Sequence, residues 1–372
     1  MARYALIGPT YPYRGGIASY TTLLAETLRQ THEVLLISFS RQYPRWLFPG
    51  KSDRDPSQRP LRTPAEFLLN PLNPFSWRRT LRRLRAWQPD VVVIPWWVPF
   101  WAPAWAALGR GVRRLPSRPR LLFICHNVLP HEQGRLRPLL PALTRWALAP
   151  GSGFVVHSAA DGRILQQLLP GAPMRVTPHP TYAALGAAPD APLPVALPAD
   201  RPLLLFAGFV RPYKGLDVLL DALAQLKRPL HLLVAGEFWQ GSAAYAAQIA
   251  ALGLSDRVTL LDAYLPNETL AAAMRRAAVV VLPYRSATQS GIIQLAFGLG
   301  RPVITTDVGG LAEVVTHAQT GLVVPPEDPA ALAAAIERFF AEDLGPCFAA
   351  AIARENGRFS WQHLVTQLEA LA

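Results

Sequence analysis

The sequence predicts an α/β protein with two doubly wound, Rossmann-like domains joined by a linker. The chain has 372 residues, 51% of them hydrophobic, and single cores stop growing near roughly 250–300 residues, so two cores are expected. Short apolar runs alternate with helical segments in both halves of the chain, a pattern typical of parallel sheets covered by helices. An Ala- and Pro-rich stretch without periodicity, 183–200, separates the halves and predicts the linker.

The first half opens with a β-α-β pattern. An apolar run at 4–7 precedes the pair Gly15-Gly16 and a helical segment at 17–30. The apolar side of this helix is expected to comprise Tyr20, Leu23, Leu24, Thr27 and Leu28. Continuous apolar runs predict further buried strands at 34–38, 91–94, 121–125 and 154–157.

The second half repeats the alternation. Strands are predicted at 203–209, 231–237, 258–264, 279–283, 301–306 and 321–325. In open α/β sheets, ligands bind outside the carboxyl ends of the strands. Two such domains facing each other are therefore expected to share a cleft.

A cationic turn follows the first strand of this second half. In AGFVRPYKGLDVLLDAL, 207–223, Arg211 and Lys214 lie three residues apart, and Gly215 precedes a helical pattern. Two fixed cations at a strand–helix junction suit a diphosphate, because they neutralise charge on a leaving group. An ordinary solvated loop is the alternative.

A second anion site is predicted where Ser290-Gly291 begins a helix. The first backbone N–H groups of a helix lack intrahelical acceptors and can bind an anion. The alternative is that Ser290 is a plain N-cap residue.

These stretches, in this order, resemble the GT-B-fold glycosyltransferases of glycosyltransferase family 4, retaining enzymes that use nucleotide sugars. The resemblance extends over nearly the whole chain. It rests on the Gly-Gly turn, CHNVLPHE (125–132), RPYKG, VAGE, TQSG, GRPVITTDVGGLAEVV and FSWQHLVTQLEALA (359–372). It implies an acceptor domain at 1–183, a donor domain at 201–356, and a C-terminal helix at 357–372 that crosses back to the first domain.

The resemblance also assigns roles to individual residues. His126 is implied to be the catalytic-site histidine near the reacting carbon, and its position after a strand suits a cleft residue, although a structural histidine is the alternative. Tyr13 and Arg14, beside Tyr11, are implied to face the acceptor. The implied donor-binding residues are Gly15, Gly16, Arg211, Lys214, Ser290, Gly291, Ile292 and Gln294.

The Gly15-Gly16 turn is not a dinucleotide fingerprint. The G-x-G-x-x-G spacing is absent, and no acidic residue ends the second strand near Ile37. Glycine is expected there so that the backbone can approach the donor closely. A tight connection that uses glycine for backbone freedom alone is the alternative.

The sequence departs from the family at the paired glutamates. Ala287 and Leu295 occupy those two positions, and the interval 269–306 contains no Asp or Glu. Phe209 stands where an arginine often follows the glycine. Gln289, Ser290 and Gln294 offer neutral hydrogen bonds instead. The departures leave two alternatives open: a non-catalytic nucleotide-binding protein, and a sugar-nucleotide epimerase, which the carboxylate-free interval disfavours.

The net charge of +12 indicates nucleic acid, anionic lipid or a phosphorylated ligand as partner. The alternative is that the abundance of arginine reflects biased codon usage. No nucleic-acid module is recognisable, so nucleic-acid binding is not expected.

The segment 73–90 predicts a basic amphipathic helix, either lying on anionic lipid or serving as an ordinary surface helix. The aromatic segment 95–105 predicts an acceptor site, a membrane interface or core packing.

The cysteines and the apolar segments of the sequence indicate the cellular location. Cys125 and Cys347 lack metal-ligand spacing, and free thiols in a reducing compartment are expected. No signal-peptide pattern opens the sequence, and no apolar run reaches the length of a membrane span. We therefore expect a cytoplasmic protein, peripheral at the inner membrane face, that uses a nucleotide sugar, no metal cofactor, and an unidentified lipid-linked or glycan acceptor.

Overall fold

A computed structural model describes residues 1–43, 50–130, 137–187, 189 and 191–372. These residues divide into two compact units. Unit 1 contains Met1–Asp55, Leu61–His179 and Phe359–Ala372, and unit 2 contains Pro56–Pro60 and Pro180–Arg358. Each unit is built on a parallel sheet, which confirms the predicted α/β class. Of the CHNVLPHE segment, His131 and Glu132 lie outside the described residues.

Unit 1 has a seven-stranded parallel sheet among its described residues, in the order β3-β2-β1-β4-β5-β6-β7. Its strands are β1 Arg3–Ile7, β2 Glu33–Phe39, β3 Glu66–Leu69, β4 Val91–Trp96, β5 Arg120–Cys125, β6 Gly153–Val156 and β7 Met174–Val176. The edge strands β3 and β7 were not predicted from the sequence, because both are partly exposed and neither forms a continuous apolar run.

The first five helices also belong to unit 1. They are α1 Gly16–Leu28, α2 Pro74–Trp87, α3 Ala102–Val112, α4 Leu140–Leu148 and α5 Ala159–Leu168. The turn before α1 needs glycine for its conformation, since Gly15 has φ 103° and ψ 170°, a region that is essentially restricted to glycine. No atom would lie within 4 Å of a Cβ on Gly15 in this structure.

The aromatic segment at 95–105 contributes to the core of unit 1. Trp96, Trp101 and Trp105 are fully buried, and Trp97 packs against the same core. On α2, the apolar stripe of Trp77, Leu81, Leu84 and Trp87 also contacts this core. The apolar stripe of α2 therefore packs against the core and does not face lipid, as the interpretation of α2 as an ordinary surface helix predicts.

Unit 2 has a six-stranded parallel sheet within its described residues, in the order β10-β9-β8-β11-β12-β13. The strands are β8 Leu203–Ala207, β9 His231–Ala235, β10 Val258–Leu261, β11 Val279–Leu282, β12 Val303–Thr306 and β13 Gly321–Val324. Its helices are α6 Leu216–Gln225, α7 Ala243–Ala251, α8 Asn267–Arg276, α9 Gly291–Gly298, α10 Leu311–Val314, α11 Pro329–Ala341 and α12 Leu344–Glu355.

The last helix, α13 (Trp361–Glu369), folds with unit 1. His32 Nε2 lies 2.8 Å from Glu369 Oε1, and Arg120 donates to the carbonyl of Leu371 over 3.2 Å. None of the helices in the described part of the chain has the length and apolarity to cross a membrane.

Candidate functional site

In unit 2, the cationic turn lies at the carboxyl end of β8. Residues Pro212–Lys214 form one 3₁₀ turn, and Gly215, at φ 67°, leads into α6. Lys214 is buried, with 7% of its surface exposed. Its Nζ lies 5.1 Å from the centroid of the Tyr284 ring and would be 3.0 Å from a Cβ placed on Gly208. The ammonium group is thus held directly against the strand end, where a side chain on Gly208 would crowd it.

Arg211 takes a different position from Lys214. Its guanidinium carbon lies 4.0 Å from the centroid of the Trp239 ring, a distance typical of a cation–π contact. Trp239 in turn contacts Phe209, with ring centroids 6.3 Å apart. Phe209 therefore contributes to the aromatic support of Arg211.

Sequence reasoning missed Arg285, which braces the cationic turn. Its guanidinium donates to the carbonyl of Pro212 over 2.7 Å and to both carboxylate oxygens of Asp217 over 2.9 and 2.6 Å. Its backbone N–H also donates to the carbonyl of Tyr213. Burial raises the pKa of Asp217, but the hydrogen bonds and charge of Arg285 outweigh burial and hold it below its usual value. The turn and the first turn of α6 are thereby fixed to one another.

The N-terminus of α9 approaches the same strand end. Ile292 Cδ1 would lie 3.4 Å from a Cβ on Gly208. Ile292 and Lys214 therefore both lie beside Gly208. Ser290 occupies the N-cap position, but its hydroxyl makes no capping hydrogen bond. The first bonded amide in this turn is that of Ile293, which donates to Ser290 O over 3.1 Å. The plain N-cap alternative is therefore not what the structure contains.

Gln294 is the most unusual residue of α9. It is 1% exposed, and neither its side-chain oxygen nor its nitrogen has a hydrogen-bond partner within the described residues. Ala287 and Leu295, the two residues that the resemblance led us to expect in place of glutamates, are also buried, with 8% and 3% exposed. A buried amide offers both a donor and an acceptor, which suits a ligand hydroxyl group.

In unit 1, His126 follows β5 and belongs to a buried ring cluster. Its ring centroid lies 4.5 Å from Tyr20, 5.5 Å from His157 and 6.1 Å from His179. All three histidines are at most 7% exposed, and His126 Nε2 has no hydrogen-bond partner among the described residues. Sequence reasoning missed Tyr20, His157 and His179 as neighbours of His126. The available signal was that His157 directly follows β6 and His179 comes soon after β7.

The cluster keeps His126 and His157 neutral. Burial, followed by the charges of His157 and His179, lowers the pKa of His126 well below its ordinary value. Burial lowers the pKa of His157 to about 4, although its hydrogen bond with Thr177 opposes the shift. Near pH 7 these imidazoles can therefore exchange hydrogen bonds but carry no charge.

The structure places the expected acceptor-side residues around the turn that precedes α1. Tyr13 is 2% exposed and donates from its hydroxyl to the carbonyl of Phe39 over 2.9 Å. Arg14 N donates to the carbonyl of Asp53 over 3.0 Å. Within the described ranges, no group of three or more His, Cys, Asp or Glu residues has the arrangement of a metal site.

Two family models match the chain: "Glycosyltransferase Family 4" over residues 14–182 and "Glycosyl transferases group 1" over residues 201–342. The D-inositol 3-phosphate glycosyltransferase 1 of Catenulispora acidiphila is 31% identical over 303 residues, which cover 76% of this chain and 71% of that protein. The chain belongs to glycosyltransferase family 4. The predicted family is thereby confirmed.

Other relatives of this family 4 glycosyltransferase match more locally. Five further proteins named D-inositol 3-phosphate glycosyltransferase align over 41–54% of their own length. The chain thus spans about half the length of these relatives in the alignments.

Solved structures share the fold of this glycosyltransferase. Sucrose-phosphate synthase from Thermosynechococcus elongatus has a TM-score of 0.72 at 22% identity, covering 100% of this chain and 98% of its own. Anabaena HepE in complex with UDP has a TM-score of 0.72 at 18% identity, with both chains covered fully. HepE in complex with UDP-glucose has a TM-score of 0.68 at 19% identity, covering 100% of this chain and 98% of its own. These likenesses establish the GT-B fold alone.

Proposed function

We propose that this glycosyltransferase transfers a hexose from a nucleotide-diphosphate donor to an acceptor hydroxyl with retention of anomeric configuration. The observation that carries the proposal is the buried ammonium of Lys214, which lies at the carboxyl end of β8 together with Ile292 from the start of α9. A buried cation beside a helix N-terminus suits a diphosphate. The strand end is also where ligands bind in open α/β sheets.

The proposed reaction breaks the bond between the anomeric carbon and the diphosphate oxygen and forms one between that carbon and the acceptor oxygen. The acceptor hydroxyl loses its proton, and the nucleotide diphosphate leaves with the electron pair. Lys214 and Arg211 stabilise the negative charge that develops on the leaving group, which is the main catalytic contribution in this scheme. Because these cations supply the charge, we propose that no metal cofactor is needed. Unchanged initial rates in EDTA would support this.

Gln294 is proposed to bind donor hydroxyls in place of the absent carboxylates. Its buried amide has donor and acceptor capacity to offer. Neutral His126 is proposed to hydrogen-bond a sugar hydroxyl rather than transfer a proton, because its pKa is lowered mainly by burial. His126→Ala should then lower kcat while leaving UDP affinity unchanged.

The first experiment measures UDP and UDP-glucose binding by calorimetry, because HepE was solved with both. Lys214→Ala should weaken UDP binding by roughly 10–100-fold, since it removes a charge-assisted contact worth about 1.5–3 kcal/mol. Lys227→Ala is the matched control, because Lys227 is an exposed lysine of the same unit. Equal UDP affinity in both variants would refute the diphosphate site. Binding without nucleotide release in the presence of acceptors would instead favour the non-catalytic alternative.

Peripheral membrane contact is proposed through the surface at the start of α2. Phe75 and Leu72 are 74% and 61% exposed, and the Arg78 guanidinium lies 5.9 Å from the Phe75 ring centroid. Apolar side chains beside exposed arginines suit an anionic bilayer surface. Leu72→Ser/Phe75→Ser should reduce co-sedimentation with phosphatidylglycerol vesicles, whereas Leu139→Ser, a change at another exposed leucine, should not. Equal loss in both variants would contradict the assignment.

A further inference from the structure

Asp161 is a buried carboxylate of unit 1 that the proposed reaction does not use. It lies in the first turn of α5 and is 1% exposed. A charge that is buried this completely is costly unless its oxygens accept hydrogen bonds. Both carboxylate oxygens do so, one from the N-cap residue of α5 and the other from the segment that follows β5.

The first set of contacts fixes Asp161 to its own helix. Ser158 is the N-cap residue of α5, and its hydroxyl oxygen accepts from Asp161 N over 3.1 Å. The same hydroxyl donates to Asp161 Oδ2 over 3.2 Å. A negative charge in the first turn of a helix is also favoured by the helix dipole. The carboxylate is therefore held in one orientation at the start of α5.

The second contact joins Asp161 to the segment 126–128, which follows β5. Val128 N donates to Asp161 Oδ1 over 3.1 Å, and Val128 is fully buried. Burial, followed by the charge of Asp161, raises the pKa of Cys125 well above its ordinary value, which agrees with a carboxylate near the end of β5. Asp161 thus connects the start of α5 to the chain that carries His126.

Trp96 fixes the same segment from the end of β4. Its carbonyl oxygen accepts from His126 N over 2.8 Å, and its Nε1 donates to the carbonyl of Val128 over 3.1 Å. The backbone is thus held at both His126 and Val128. The His126 ring packs against the Tyr20 ring at an interplanar angle of 88°, and its Nε2 has no partner among the described residues. These contacts together set the direction in which that nitrogen points.

We propose that Asp161 is a positioning residue for His126. Its Oδ1 holds Val128 N and thereby fixes the backbone from which the His126 ring projects. This inference rests on the proposed function, in which His126 hydrogen-bonds a sugar hydroxyl. Displacing such a group by about 1 Å can lower a rate about 100-fold. Because the donor to Asp161 is a neutral backbone amide, the role requires an acceptor oxygen at this position rather than a charge.

Two substitutions separate the acceptor oxygen from the charge. Asp161→Asn keeps an oxygen that can accept from Val128 N, and its amide nitrogen can donate to the Ser158 hydroxyl. Asp161→Ala removes the acceptor and leaves a buried N–H unpaired. Asp328→Ala is the matched control, because Asp328 caps α11 in unit 2 by accepting from Ala331 N over 2.9 Å. This control should lower stability without affecting His126.

The first readout is the Cε1–H NMR signal of His126 in protein with isotope-labelled histidine, identified by its loss in His126→Gln. We expect the signal to shift in Asp161→Ala and to stay in place in Asp161→Asn and Asp328→Ala. If Asp161→Ala does not fold, Asp161→Ser replaces it, because the shorter side chain cannot reach Val128. An unmoved signal in the folded Ala or Ser variant would overturn the inference, and so would a shifted signal in Asp161→Asn.

The second readout is the rate of UDP release from UDP-glucose. Asp161→Ala should lower kcat about 10–100-fold and leave KM and UDP affinity within about threefold, because Lys214 in unit 2 is unchanged. Asp161→Asn and Asp328→Ala should keep kcat within about threefold. Equal losses of kcat in Asp161→Ala and Asp328→Ala would reduce the role of Asp161 to stability and contradict the inference.

The two readouts also separate this inference from the proposed function. Failure of the unsubstituted protein to bind UDP or to release it from UDP-glucose would count against the proposed function. The NMR signal of His126 would still decide whether Asp161 sets the position of that ring, because it requires neither donor nor acceptor.

Discussion

The hydroxyl of Tyr20 donates a hydrogen bond to Nε2 of His157 over 3.1 Å. The direction follows from the other ring nitrogen, because Nδ1 of His157 lies 3.0 Å from the carbonyl oxygen of Thr177 and must donate to it. One tautomer of His157 is therefore selected by two partners. Tyr20 also contacts His126, His179 and Trp361 through its ring, so a single side chain from α1 orders the residues around the proposed active-site histidine.

Tyr20→Phe should reduce the free energy of unfolding by about 1–2 kcal/mol, because it leaves the buried Nε2 of His157 without its donor. Urea unfolding followed by tryptophan fluorescence measures the change, with Trp361 beside the mutated ring. Tyr11→Phe is the matched control, since the Tyr11 hydroxyl has a longer contact of 3.3 Å with Arg62 at the surface. Similar losses in the two variants would show that the buried hydrogen bond contributes nothing specific.

Acidification should destabilise the protein through the histidine cluster. The pKa of His157 is lowered from 6.5 to about 4 by burial, so its stabilising contribution is complete above pH 6.5 and is lost as the pH falls towards 4. Between these values the unfolded state binds one more proton than the folded state. The slope per histidine is about 1.4 kcal/mol for each pH unit.

Unfolding free energies measured in urea between pH 4 and pH 8 test this dependence. His157→Gln keeps an amide that can donate and accept, but it does not titrate. The unfolding free energy of this variant should therefore fall less steeply with decreasing pH below 6.5. The difference in slope from the unchanged protein should correspond to about one bound proton. An unchanged slope in this variant would mean that His157 does not titrate as its burial requires.

Gly15→Ala should destabilise the protein by about 1–3 kcal/mol, although the structure leaves space for the added Cβ. The cost arises from the backbone, since φ 103° with ψ 170° is hardly accessible to alanine. Gly345→Ala is the control, because Gly345 lies in α12 with its nearest neighbour at 3.6 Å and alanine favours helices. Thermal unfolding should show a loss for the first variant and none for the second. A neutral Gly15→Ala would contradict a conformational role for this glycine.

Gln294→Leu should raise the unfolding free energy of the nucleotide-free protein by about 1 kcal/mol, because it removes a buried amide without partners in the described structure. The same change should reduce the thermal stabilisation that UDP-glucose provides, if the amide binds donor hydroxyls. Gln225→Leu at an exposed site of α6 should change neither quantity. A gain in stability with undiminished stabilisation by UDP-glucose would remove Gln294 from the proposed donor site.

Local patterns in the sequence predicted every described strand of the unit 2 sheet, but they missed the two edge strands of the unit 1 sheet, β3 and β7. The central strands β4 and β5 are continuous apolar runs because both faces are covered. The edge strand β3 reads as an irregular segment, since only Leu69 is fully buried. Amphipathicity located α2 correctly, but the pattern could not decide whether its stripe faces lipid or the core, because both environments favour the same apolar residues.

The candidate site shows the same division. Lys214 and the start of α9 were predictable from their positions after strands, whereas Arg285 was not, because its partners Pro212 and Asp217 are more than 65 residues away in the chain (68 for Asp217). His126 was identified by its motif. Its neighbours Tyr20, His157 and His179 come from three other segments that the sheet brings together.

By itself, the sequence determined the fold class, the family and the identity of the cationic turn, because these depend on local periodicity and on short motifs that neighbouring residues complete. The tertiary structure alone decided that Gln294 is buried with its amide unpartnered among the described residues, that three histidines surround Tyr20, and that Asp161 accepts a hydrogen bond from Val128 N. The physical reason is that burial and electrostatic interaction depend on distance in space. The parallel sheets set those distances by aligning strand ends that are far apart in the chain.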